Sequence, residues 1–239
     1  SMNKICIVIP AFNENKNIIK LIKVIKKKID CYIVIVDDSE NFKTKILFDK
    51  IKNKKIFYFH RKKKLGRGSA VIYGFKKIVK KNINCFIEMD ADFSHSPNEL
   101  KRNIKTFYNK KLDLLIGSRY LANSKIINWP LSRRILSKLS NLLARFLLGV
   151  PVNDYTNGYR FYSKRAIKTV ISKCNKLGGE FIILSEIILV LFKMKYKISE
   201  IESIFRNRVR GKSSVNLSLV FQSFVGLIKL YLLKISNKI

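Results

Sequence analysis

Over its first 120 residues the chain alternates short, uniformly apolar runs with longer segments of helical period, and this restricts its folds more than any other feature. The runs are ICIVIP at 5–10, YIVIVDD at 32–38, IFYFH at 56–60, CFIEMD at 85–90 and LDLLIGS at 112–118. Most lack the strict apolar–polar alternation of a strand with one wet face, so they read as strands covered on both sides. Between them, 16–29, 40–52, 67–81 and 97–110 place apolar residues at helical spacing. Strand and helix in turn predict an α/β domain built on an open, mostly parallel sheet flanked by helices.

Ligands of such sheets gather outside the carboxyl ends of the strands. Those ends read PAFNEN at 10–15, DDSE at 37–40, DADFSHSP at 90–97 and GSRY at 117–120. Beyond residue 120 the pattern changes. LSRRILSKLSNLLARFLLG, 131–149, predicts a helix stopped by Gly149, and the turn-rich PVNDYTNGYRFYS, 151–163, leads into another strand. A helix over about 178–195 precedes KISEIESIFRNRVRGKSS, and the chain closes on the mostly apolar VNLSLVFQSFVGLIKLYLLK. This divides it into an α/β domain, 3–213, and a C-terminal amphipathic helix, 214–239, suited to a membrane interface. No apolar run approaches the roughly 20 residues needed to span a bilayer.

Forty-nine Lys and Arg stand against 16 Asp and Glu, a formal net charge of +33, so the first partner to consider is an anion. Lys outnumbers Arg 37 to 12, and its runs fall at helix-like positions, which reads as solvated surface. The scarce arginines, able to fork onto phosphates, carry more information. Cys6, Cys31, Cys85 and Cys174 show no metal-binding spacing and sit mostly in apolar segments, which predicts free thiols in a reducing setting.

Against that background Glu88, Asp90 and Asp92 crowd into five positions after an apolar run. If the backbone stays extended, Asp90 and Asp92 point the same way. Two hard oxygen ligands suit Mg²⁺ or Mn²⁺ bridging a nucleotide diphosphate. The plainer alternative is that Asp90 ends a strand and Asp92 caps the following helix.

The ordered series PAFNEN, VDDS, KLGRGSAVIYGF, MDADFSHSP, GSRY, WPLSRR, DYTNGYRFY and FRNRVRGKSS resembles glycosyltransferase family 2. Within it the chain is most similar to the polyprenyl-phosphate sugar synthases of the dolichyl-phosphate mannosyltransferase type. The resemblance implies a GT-A (Rossmann-like) fold and inverting transfer of a sugar, mannose or glucose favoured, from a nucleotide sugar to a polyprenyl (dolichyl or undecaprenyl) phosphate. It places Pro10, Phe12, Glu14, Asp37 and Asp38 at the nucleoside, and Asp90, Asp92 and Ser94 at a Mg²⁺ or Mn²⁺ ion. It puts Arg119 and Arg133 at the acceptor phosphate and Arg208 at the donor diphosphate.

A lipid acceptor further implies a peripheral enzyme at the cytoplasmic face of a membrane, with a membrane anchor protein or a second copy as candidate partners and no specific nucleic acid. The chain departs from the family where DDSENFKT lacks the usual Gly and second acid, and where Asn207 stands for an Asp. A phosphate acceptor needs cations to position it and no base to activate it, and neither His60 nor His95 sits in a nucleophile–base motif. Two alternatives remain: a family 2 enzyme with a saccharide acceptor, which would want a carboxylate base, and a non-catalytic basic nucleic-acid-binding protein, which would not need the ordered acidic and arginine motifs.

Overall fold

The computed structural model describes residues 4–175, 177–178, 182–207 and 217–238. Its first half follows the expected alternation: β1 (Ile5–Ala11), α1 (Asn15–Lys28), β2 (Tyr32–Asp37), α2 (Lys43–Asp49), β3 (Ile56–His60), α3 (Arg67–Ile78), β4 (Cys85–Glu88), α4 (Leu100–Asn109) and β5 (Leu114–Ser118). A single 3₁₀ turn, Pro97–Glu99, leads into α4. The second half adds β6 (Lys125–Ile127), α5 (Leu131–Leu148), β7 (Arg160–Ser163), α6 (Lys164–Lys173), α7 (Ile182–Lys193), β8 (Ile198–Glu202), β9 (Ile204–Arg206) and α8 (Leu217–Ile235).

Seven strands form one sheet in the order β3-β2-β1-β4-β7-β5-β8, and β6 pairs with β9 in a separate ribbon. Every neighbour in the large sheet is parallel except β7, which runs antiparallel to both β4 and β5. Successive side chains of a strand leave on opposite faces, and here both faces are covered. Cys6, Val8, Val34 and Val36 pack with Ala70, Phe75, Ile167, Ile188 and Leu230 on one side. Ile7, Ile9, Ile33 and Ile35 pack with Ile18, Leu21, Leu100 and Phe107 on the other. Each such side chain contributes about 1.5–3 kcal/mol by leaving water, which explains why these strands carry no polar alternation. At Gly74 a side-chain carbon would lie 2.5 Å from Val8 Cγ1, so α3 can rest on β1 only where a side chain is missing.

The helix predicted over 131–149 is α5, stopped as expected by Gly149 in the left-handed region (φ 71°) with its N–H on the Arg145 carbonyl. Helix α6 was not anticipated, although Ser163 caps it through Oγ and Ala166, Ile167 and Val170 turn inward at helical spacing. The tail forms α8, which packs against α5 and α7. Leu227 and Leu230 are buried in the main core, whereas Phe224, Leu232 and Ile235 are exposed. No described helix is long and apolar enough to cross a membrane.

Candidate active site

Strand β4 ends at Glu88, two residues short of the sequence expectation. Asp90 and Asp92 therefore do not lie on one extended strand; they sit in a tight turn that passes through Phe93 with φ 63°. The turn is held from within, since Asp92 Oδ1 accepts the Ser94 N–H at 3.0 Å. It is also held from outside by a relay: the Asp90 N–H donates to His95 Nδ1 at 3.1 Å, and His95 Nε2 lies 2.9 Å from Asn157 Oδ1. Asn157 in turn donates through Nδ2 to the Gly117 carbonyl. With Nδ1 accepting, Nε2 carries the proton, and the neutral ring orders the loop. It is 1% exposed and stacks on Tyr159 with centroids 5.1 Å apart.

The third acid, Glu88, is buried inside the protein. It accepts from Tyr162 Oη at 2.8 Å and from Arg67, whose Nε also donates to Asp90 Oδ1 at 2.8 Å. Arg67, at the start of α3, belongs to the KLGRG motif, which had suggested no role for it. Burial pulls the Arg67 pKa down; the charges of Asp90 and then Glu88 outweigh that and hold it above the ordinary arginine range.

On the base side, the loops after β1 and β2 are tied together. Asn13, at φ 58°, donates its N–H to Ser39 Oγ at 2.8 Å, and the Asp38 N–H donates to the Ala11 carbonyl at 2.9 Å. Asp37 and Asp38, the two acids expected at the nucleoside, are both buried and engaged within the protein. Asp37 is fully buried and accepts from Ser39 N, Ser39 Oγ and Tyr58 Oη. Asp38 is gripped by Arg61 through Nε and Nη2, both at 2.6 Å, and by the Leu65 N–H at 3.0 Å. These carboxylates shape the loop wall. Glu14, itself nearly buried, accepts from Asn17 Nδ2 at 2.8 Å. Pro10 is half-buried at the end of β1, and the exposed Phe12 ring lies 5.1 Å from Lys64 Nζ.

Across the cleft stand Arg119 and Arg133. Trp129, after β6, and Phe205, on β9, meet with centroids 5.2 Å apart, and the pairing of β6 with β9 is what joins them. The Arg133 guanidinium carbon lies 4.7 Å from the Trp129 ring centroid and that of Arg119 lies 5.4 Å from it, so both cations approach one indole. Trp129 Nε1 is buried with no hydrogen-bond partner among the described residues.

Arg119 is anchored, which the sequence did not reveal. Its Nε donates to Asp154 Oδ2 at 2.8 Å, and its Nη2 donates to Asp154 Oδ1 at 2.7 Å and to Thr156 Oγ1 at 2.6 Å. Asp154 is itself fixed from behind, because Glu200 accepts the Asn153 and Asp154 N–H groups at 2.8 and 2.9 Å. Burial lowers the Arg119 pKa, but the Asp154 charge and hydrogen bonds outweigh it, with smaller upward contributions from Tyr120 and Asp90; the net shift is upward. The two walls of the cleft thus sense each other electrostatically. Arg208, Arg210 and Lys212 lie outside the described residues.

The profile described as Glycosyl transferase family 2 matches residues 6–171. The chain belongs to glycosyltransferase family 2. Among its relatives is the polyprenol monophosphomannose synthase of Mycolicibacterium smegmatis, 35% identical over 168 residues, which covers 69% of this chain and 63% of the relative. The dolichol-phosphate mannosyltransferase of Pyrococcus furiosus is 32% identical over 92% of this chain and 61% of its own length. This family 2 chain thus spans less than two thirds of either relative's length. The undecaprenyl-phosphate mannosyltransferase of Micrococcus luteus is 27% identical over 93% of this chain and 91% of its own.

The family 2 fold is shared with glucosyl-3-phosphoglycerate synthase from Mycobacterium tuberculosis, solved with Mn²⁺, UDP and phosphoglyceric acid. That structure superposes with a TM-score of 0.70 at 16% identity, covering 96% of this chain and 79% of the other. A GT-A-like architecture is therefore established for this chain.

Proposed function

We propose that this chain moves a sugar, with inversion, from a nucleotide sugar to a polyprenyl phosphate, mannose or glucose being the favoured sugar. One observation carries the choice of acceptor. The acceptor wall holds two guanidinium groups near one indole, and among the described residues the carboxylate bound to Arg119, Asp154, is 0% exposed with both oxygens engaged. A sugar hydroxyl would need a base within hydrogen-bonding reach to take its proton. A phosphate is an anion already. It needs cations to hold it and to offset repulsion from the donor, and this wall supplies them.

In the reaction a phosphate oxygen of the lipid attacks the anomeric carbon, and the bond from that carbon to the donor diphosphate breaks. The nucleoside diphosphate leaves with the electron pair. Arg119, fixed by Asp154, and Arg133, on α5, orient the attacking phosphate, with Trp129 near both. Arg208 would reach the diphosphate as the sequence resemblance implies. Pro10, Phe12 and Glu14 line the nucleoside side.

Mg²⁺ or Mn²⁺ would be held by Asp90, Asp92 and Ser94. The fit rests on Ser94 Oγ, a buried hydroxyl without a hydrogen-bond partner, next to Asp92 in the turn. Among the described residues no three Asp, Glu, His or Cys side chains gather around a metal-sized point, so the remaining ligands of such a cation would be substrate and water oxygens. When bound, it would supply charge to offset the departing diphosphate. The relatives' names, each a polyprenol-type phosphate mannose enzyme, support the acceptor; the neighbour's Mn²⁺ and UDP support the donor and metal. The test is transfer of radiolabel from GDP-mannose or UDP-glucose into a polyprenyl-phosphate extract. Label in the organic phase supports the proposal; label only on a soluble saccharide overturns it.

The same reading puts the protein against a membrane surface, and the outer face of α5 suits it. Leu131, Leu139, Leu142 and Phe146 are exposed, Phe146 by 82%, on a helix that also carries Arg134, Lys138 and Arg145. Apolar side chains set among cations fit the interface of an anionic leaflet. Leu139→Glu/Phe146→Glu is expected to weaken sedimentation with phosphatidylglycerol vesicles by at least about tenfold. Because both side chains are exposed, the Tm should stay within about 2 °C. Undiminished vesicle binding would remove α5 from the membrane contact.

A further inference from the structure

Glu88 and Asp90 place two acids on the one largely buried guanidinium of Arg67, with Asp92 two residues further on, and the division of that guanidinium is unequal in kind. Arg67 Nη1 serves Glu88, which is 1% exposed and will not meet solvent or substrate. Nε and Nη2 both serve the same oxygen of Asp90, Oδ1, at 2.8 and 2.7 Å, and the Asp90 side chain keeps 28% of its surface exposed. Nη2 also donates to the Gly158 carbonyl at 3.3 Å. A side-chain carbon at Gly158 would collide with the guanidinium, so the backbone of the 151–159 loop forms the wall of its pocket. Arg67 is thus held on the Glu88 side by contacts that survive if Asp90 lets go.

We infer that Arg67 is a resident counter-ion of the acidic turn, and that its division between Glu88 and Asp90 sets how tightly the turn takes a divalent cation. The inference rests on the proposed metal reading. A cation arriving at Asp90 competes with a charge already bound to that carboxylate. Glu88 makes this competition tolerable by retaining part of the guanidinium's charge. Without Arg67 the metal-free protein would bury Glu88 uncompensated next to two further acids, and a buried unpaired charge is strongly destabilising. A divalent ion would then take the place of the guanidinium as the charge bound at Asp90. Arg67 is therefore a positioning residue, acting through Asp90 and Glu88 on a ligand it need not touch.

The test measures Mn²⁺ affinity and thermal stability, with Mn²⁺ titrated alone and in the presence of GDP or UDP. Two variants are expected to move in opposite directions. Glu88→Gln keeps an acceptor for Tyr162 but gives the full guanidinium charge to Asp90, so Mn²⁺ should bind about five- to tenfold more weakly. Arg67→Met should lower the Tm in chelator, and Mn²⁺ should recover more of that loss than it adds to the unmodified protein. If Arg67 only fills space, its variant loses the same Tm with and without Mn²⁺, and Glu88→Gln binds Mn²⁺ as the unmodified protein does; either result overturns the inference. Should Arg67→Met fail to fold, the Glu88→Gln titration decides alone. Mn²⁺ binding that is abolished by Asp92→Asn yet indifferent to Glu88→Gln refutes the inference and leaves the metal reading standing. No Mn²⁺ binding to the unmodified protein under any condition overturns both.

Discussion

Asp92→Asn is expected to lower kcat by about 10²–10³-fold, the loss typical of removing one group that faces charge developing in the transition state. The fold should survive it. Asp92 is only partly buried, and its described contact is an acceptance of the Ser94 N–H, which the amide oxygen of Asn reproduces. Thermal unfolding should therefore shift by no more than about 3 °C. Steady-state rates with saturating donor, measured over a Mn²⁺ series, separate two outcomes. A loss that extra metal does not recover places Asp92 at the diphosphate. A variant with unchanged kcat removes it from the site and returns it to the simpler role of ordering a turn.

The second large effect belongs to Asp154, a residue to which the sequence assigned nothing. Asp154→Ala leaves the Arg119 guanidinium buried without its partner, and breaking a buried pair from one side costs about 3–5 kcal/mol. In a domain of this size that is a Tm loss of roughly 10 °C. The acid dependence should change as well. Burial raises the Asp154 pKa, but the Arg119 charge, its hydrogen bonds and the backbone N–H groups of Arg119 and Thr156 outweigh that and leave it below the ordinary carboxylate value. A folded-state pKa below the unfolded one stabilises the protein fully above about pH 4 to 5, and the contribution disappears as the pH falls through the folded-state value. Asp154→Asn should thus flatten the fall of Tm between neutral pH and pH 4 and below, with Asp113, held low in the same way by Arg165 and the backbone against its own burial, accounting for part of the slope that remains. A steep acid transition unchanged by Asp154→Asn would show that the pair carries no such linkage.

The parallel half of the fold was legible because β1, β2 and β4 are apolar on both faces and the helices between them keep one period. The boundary of β4 was not. CFIEMD reads as one run, yet the chain leaves the sheet after Glu88, because Arg67 draws Glu88 inward and the His95 relay bends the next five residues. The same run hid the difference among its acids: Glu88 is buried, whereas Asp90 and Asp92 keep part of their surface exposed. The internal contacts of Asp37 and Asp38 were not legible in the short acidic motif at the strand end. The partners that occupy them, Tyr58 and Arg61, lie 21 and 23 residues away. Asp154 and Arg119 were both inside quoted motifs, but a pairing across 35 residues has no local signature. Helix α6 did have one, in the Ser163 cap and the inward Ala166, Ile167 and Val170, and could have been read.

The reversed strand β7 has a consequence for the order in which a nascent chain can become an enzyme. Strands β1 to β4 are contiguous in the sheet, so these four can pair once residue 88 has left the ribosome. Strand β5 cannot join them. Its neighbours are β7 and β8, and it reaches β4 only through β7. Until residues 160–163 are synthesised, β5 is an orphan with two unpaired edges, and Arg119 at its end waits for Asp154. Translation at about 5–20 residues per second makes that interval a few seconds long. Strands β1 to β4 are thus complete before the strand that joins β5 to them exists, and a chain truncated in that window would hold four paired strands and one unpaired.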